Sequence, residues 1–104
     1  MAVHYVRTRP PESVQPDLLR ELREYVEWHG GKDPQFINFV CDEEGDPVAL
    51  VRFTDEDGTL ASGLYDFIHM YSEDGAIKWD VTERQVFKRT CEDSVVKAFE
   101  GWMA

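Results

Sequence analysis

Two hydrophobic periods divide this chain. Between Pro16 and His29 the residues Leu18, Leu22, Tyr25, Val26 and His29 recur at three- and four-residue spacing, the mark of a helix with one buried face. Pro16 stands in the first turn, where proline is tolerated, and Asp17 suits the positive end of the helix dipole. Gly30-Gly31 supply the stop. Before this helix, residues 2–8 alternate as a strand should, with Val3, Tyr5 and Arg7 on one face, and Arg9-Pro10-Pro11-Glu12-Ser13 breaks the pattern.

From Phe36 onward the period shortens to that of strands, expected near 36–41, 47–54, 60–71 and 76–81. Three acidic segments separate them: Asp42-Glu43-Glu44-Gly45, Asp55-Glu56-Asp57-Gly58 and Ser72-Glu73-Asp74-Gly75. An acidic residue followed by glycine suits a tight hairpin, because glycine accepts the positive φ of such turns. In an up-and-down meander alternate turns share an end. Asp42, Glu43, Glu44, Asp46, Glu73 and Asp74 are therefore expected near one another. The 60–71 strand carries Tyr65, Phe67, His69 and Tyr71 on one face and Leu64, Asp66, Ile68 and Met70 on the other. It is either a central strand covered on both sides or one that leaves an aromatic surface over.

The C-terminal third admits two readings. Thr82-Glu83-Arg84-Gln85 fits a capping box. Val86, Phe87, Thr90, Cys91, Ser94, Val95, Ala98, Phe99 and Trp102 then keep a continuous helical stripe, which favours one helix over 83–102. In the competing reading 84–90 is a strand, followed by a shorter helix capped at Thr90. The expected fold is a single α+β domain over residues 1–104. It is an antiparallel β-meander of about four to five strands, with an N-terminal amphipathic helix and a C-terminal helix packed on the sheet.

Charge narrows the function. The chain has 21 acidic and 11 basic side chains, a formal net charge of −10, and its basic residues are scattered. Such a surface repels nucleic acid and anionic membranes, and favours encounter with a basic protein. No apolar run is long enough to span a bilayer, and the N-terminus has no signal layout, so a cytoplasmic location is expected. On that expectation Cys41 and Cys91 read as two buried thiols rather than a disulfide.

Motifs for chemistry do not emerge. Around Gly45, Gly58 and Gly75 the positions that an EF-hand fills with oxygen ligands hold residues such as Phe39, Arg52 and His69. His4, His29, His69, Cys41 and Cys91 show no paired zinc spacing. Cys91, His69 and Asp66 can be written as a triad, yet Glu92 and Asp93 beside the thiol oppose the lowered pKa a nucleophile needs. Ser62 lacks the flanking glycine of a nucleophile elbow, and Gly30-Gly31-Lys32 does not continue as a phosphate loop. Neither cofactor nor metal nor enzymatic activity is expected.

What remains is surface. Glu21, Glu24 and Glu27 repeat opposite the apolar stripe of the first helix, partly balanced by Arg20–Glu24 and Arg23–Glu27 at i,i+4. The first acidic turn has no basic residue between Cys41 and Val51. These carboxylates, the turn-tip cluster being the preferred contact site, with Trp28 or Tyr71 as aromatic anchors, make a candidate contact for Lys and Arg of a basic protein that itself binds nucleic acid. In outline the chain resembles small acidic stoichiometric inhibitors, including bacterial immunity proteins and phage anti-defence proteins such as anti-CRISPRs. The alternatives are a small enzyme or ligand-binding domain with a pocket near His69 and Cys91, and a self-assembling accessory protein using Tyr65, Phe67 and Tyr71.

Overall fold

The computed structural model describes residues 4–6, 9–71 and 73–88. Their order is β1 (His4–Val6), α1 (Gln15–Trp28), β2 (Lys32–Cys41), β3 (Pro47–Thr54), β4 (Leu60–Tyr71) and β5 (Ile77–Lys88). All five strands form one antiparallel sheet. The meander β2-β3-β4-β5 pairs neighbour to neighbour, and β1 joins β4 where β3 has ended. Val48 of β3 lies opposite Asp66, while β1 pairs with His69–Tyr71. Thus β4 is central, flanked by β3 and β1 on one edge and by β5 on the other.

Helix α1 starts and stops as its sequence dictates. Pro16 occupies the first turn, and among the described residues no side chain caps the N-terminus. At the other end Gly30 takes φ +91° and its amide donates to the Glu27 carbonyl, while the Gly31 amide donates to Val26 at 2.8 Å. This pair of bonds is a Schellman motif, which satisfies carbonyls that a helix end leaves open. Leu18, Leu22 and Val26, four residues apart, are buried against Phe39, Ala49, Val51, Phe53, Ala61 and Phe67. Each fully buried side chain of this size contributes about 1.5–3 kcal/mol, so the stripe anchors the helix. On the opposite face Val48, Leu50 and Leu64 form a second buried cluster with Val40 and Phe87. Because both faces of β3 are apolar, it reads as a run, Val48–Val51, rather than an alternation. Of the two readings of β4, the covered central strand is correct for its first half. Tyr65 and Phe67 are core residues, so neither is available to an oligomer face.

The C-terminal expectation needs correction. Residues 83–88 are the last part of β5, as the competing reading had it, and the remainder of the expected helix lies outside the described residues. The cause is a β-bulge: Leu64 pairs with Gln85 and Tyr65 with Glu83, leaving Arg84 as the extra residue. The bulge shifts the strand's alternation, so Trp79 and Val81 share the helix-side cluster with Val86 instead of residue 85 or 87. Adjacent Val86 and Phe87 then face opposite clusters, which mimics a helical stripe in one dimension. Strand β2 likewise begins earlier than expected, since bulges near Lys32–Asn38 and positive φ at Asp33 disguise its period. Cys41, expected buried, is exposed at the end of this edge strand, and Cys91 lies outside the described residues. Among the described residues no helix is long and apolar enough to cross a membrane.

Candidate functional site

The first two acidic turns are built alike. In the first, the Asp42 amide donates to the Asp46 carbonyl and Gly45 returns to Asp42, with Gly45 at φ +85°. Asp42 Oδ1 accepts from the Glu44 and Asp46 amides, both at 2.9 Å. Asp55 repeats every one of these bonds with Asp57, Gly58 and Thr59. In the third turn Asp74 Oδ1 accepts from Ala76. The aspartates therefore serve their own backbones first, the side-chain use that makes Asp a turn residue.

Asp42 has a second partner that spacing did not reveal. Arg84, projected by the bulge onto the face away from α1, grips Asp66 through Nε at 2.9 Å and through Nη2. Its Nη1 reaches Asp42 at 2.8 Å. Burial raises the Asp42 carboxyl pKa, but the Arg84 guanidinium and the Asp46 and Glu44 amides together hold it below the usual range. Arg84 is itself held above its ordinary value, chiefly by Asp66. The first turn is thus compensated, contrary to the expectation from the absence of nearby bases in sequence. Glu43 and Glu44 remain exposed beside Arg84 and Gln85, and Asp46 is half-buried.

Glu73 and Asp74 share the sheet end with that turn but line a different hollow, next to Lys78. The reason is register: β4 runs on from Asp66 to Tyr71 past the start of β3, and β1 fills that edge. The six carboxylates do not form one cluster. Tyr71 is partly exposed at the same tip, tilted against His69 with ring centroids 4.4 Å apart.

The helix carboxylates meet a different environment. Arg20 turns back to Asp17 at 3.1 Å, and among the described residues neither Arg20–Glu24 nor Arg23–Glu27 forms an ion pair. Glu21 and Glu24 flank a hollow between α1 and β5, completed by Tyr25, Trp28, Trp79 and Asp80. Trp28 is 85% exposed. Its ring meets His29 edge-on at 5.3 Å; His29 stacks on Tyr25 at 4.2 Å, and Tyr25 meets Tyr65 edge-on at 5.8 Å. His29 Nδ1 donates to the Tyr25 carbonyl at 2.8 Å, and the Tyr25 hydroxyl accepts from the Glu83 amide. An aromatic chain thus runs from solvent to core around the C-terminal end of α1, where helix carbonyls add negative potential and the last turn holds no base. Glu27 is exposed on this last turn.

Beneath that end lies a cavity of about 340 Å³, with Tyr65, Asp55, Val26 and Gly31 at its floor and His29, Glu56, Asp57 and Glu83 at its rim. None of its acidic lining was among the expected site residues. The spacing Gly63-x-Tyr65 was the available signal: both residues face α1, and a Cβ at position 63 would lie 2.5 Å from the Tyr65 hydroxyl. His69 does not belong to this cavity. It is buried, stacked on Trp79 at 4.4 Å and 17°, and neither its Nε2 nor the Trp79 indole nitrogen has a hydrogen-bond partner among the described residues. Cys91, its expected companion, lies outside those residues. Among the described residues no group of His, Cys, Asp or Glu is placed to hold a metal ion. No family model, no curated protein and no solved structure matches this chain.

Proposed function

We propose that this protein is a non-catalytic binding protein, a stoichiometric inhibitor that engages the basic, nucleic-acid-binding surface of a protein partner in the cytoplasm. One observation supports the reading: Trp28, 85% exposed, projects beside Glu21, Glu24 and Asp80, and among the described residues no base lines the hollow they share. Aromatic anchors, Trp foremost, dominate protein contacts. Carboxylates around an aromatic face suit Lys or Arg, which gain ion pairing and cation–π contact together. The net charge of −10 adds long-range attraction to the same kind of partner. This is the chemistry expected of immunity proteins and of phage anti-defence proteins such as anti-CRISPRs. Glu43 and Glu44, and Glu73 with Tyr71, are secondary contacts on other surfaces.

The test is a paired retention experiment. Wild-type protein and a Trp28→Ala/Glu21→Lys/Glu24→Lys variant are immobilised side by side and given the same native lysate at low salt. A basic nucleic-acid-binding protein, retained stoichiometrically by wild type, released by salt or by added DNA and lost from the variant, is expected. Equal retention on both columns would refute the assignment of this surface.

A further inference from the structure

The geometry points to the cavity under the C-terminal end of α1 as a socket for one guanidinium group, the side chain of an arginine projecting from the partner. The inference rests on the reading that the partner is basic, and adds where a single side chain enters. Tyr65 carries it. The residue is 2% exposed, its ring lies back along β4 over Gly63, and it lines the cavity. Its hydroxyl makes no hydrogen bond among the described residues and is not one of their sealed, unpartnered polar atoms, so it opens on the cavity. A phenol oxygen at a cavity wall with no partner in the fold is free to accept from a ligand. Burial, then the nearby Glu83 and Tyr25, pushes the phenol well above its ordinary pKa, so it keeps its proton.

The surroundings define which ligand. Glu56, Asp57 and Glu83 stand at the rim, Asp55 lies within, and among the described residues no lysine or arginine lines the space. The helix end contributes carbonyl dipoles of the same sign. An anion is excluded by every charged group there. A guanidinium matches best, because its planar fork of five donors reaches a phenol oxygen and separated carboxylates together, and it stacks on aromatic faces such as the exposed His29 ring.

The experiment titrates N-acetyl-arginine methylamide into the full-length protein and follows amide signals by heteronuclear NMR. N-acetyl-citrulline methylamide, equal in shape and uncharged, is the control. Saturable shifts at Gly30, Gly31, Asp57 and Glu83 are expected with the arginine amide, at roughly millimolar affinity for so small a probe, and none with citrulline. Tyr65→Phe and, separately, Glu83→Gln should each weaken binding roughly tenfold. Glu83 is exposed, so the second variant stands if the first unfolds. Non-saturating shifts spread over all acidic surfaces, or equal binding by both variants, would overturn the socket. If the arginine amide fails while the partner is still retained through Trp28, the socket falls and the surface reading stands. If it binds at the cavity while retention ignores Trp28, the surface reading falls and the socket stands.

Discussion

Replacing Arg84 with methionine isolates the least expected interaction in the fold. The side chain is 24% exposed and its two partners, Asp66 and Asp42, are 16% and 10% exposed. Methionine retains much of the stem but removes every donor, so two largely covered carboxylates lose three charge-assisted hydrogen bonds. Breaking a fully buried pair costs about 3–5 kcal/mol. Water reaches this guanidinium, and Asp42 keeps its two backbone donors, so about 2–3 kcal/mol is expected at pH 7. For a chain of this size that lowers Tm by roughly 8–20 °C. The sign with pH follows from Asp42. Its folded pKa is depressed, so its contribution is present above the unfolded-state value near 4 and is lost as pH falls through the folded value. Urea unfolding of wild type and Arg84→Met at pH 7, 5 and 3.5 should therefore show a gap that narrows at the acid end. A variant within 0.5 kcal/mol of wild type at pH 7, or a gap indifferent to pH, would refute this account of the bulge.

Three further expectations concern single sites. Gly63→Ala places a Cβ 2.5 Å from the Tyr65 hydroxyl and 2.6 Å from its ring; unfolding should show a loss of about 1–3 kcal/mol, and near-UV circular dichroism a displaced tyrosine. Gly45→Ala meets nothing within 4 Å but must hold φ +85°, so a smaller loss of about 1 kcal/mol is expected, reduced further in Gly45→Asn. Cys41 is exposed; in a Cys91→Ser background its native thiol should react with a disulfide reagent about as fast as after unfolding, and strong protection would contradict its placement.

Much of the fold was legible because local chemistry and tertiary demand agree. The helix boundaries followed from Pro16 and Gly30-Gly31, and the hairpins from an aspartate three residues before a glycine at Gly45 and Gly58. What misled was β5. A bulge adds one residue to a strand, and Thr82-Glu83-Arg84-Gln85 then reads as a helix cap although Thr82 pairs with Asp66 in a ladder. Only the partner strand reveals the extra residue. The site was legible in part. Helical spacing grouped Glu21, Glu24 and Glu27; the structure sets Glu21 and Glu24 in one hollow with Trp28, and Glu27 is not among its lining. Spacing could not anticipate that Asp42 has a guanidinium from β5, nor that the second acidic turn, Asp55–Gly58, folds beside the helix end.

The position of β4 also orders the events of folding. Its pairings with β3 and β5 close across short turns, whereas its pairing with β1 brings His4–Val6 to His69–Tyr71 across the helix and two strands. Loop closure grows costlier with length, and distant contacts form late. The β3-β4-β5 ribbon is then the expected nucleus, with β1 expected to dock after the rate-limiting barrier. Substitutions beneath the ribbon, such as Leu64→Ala, should slow refolding, whereas weakening β1 should mainly hasten unfolding.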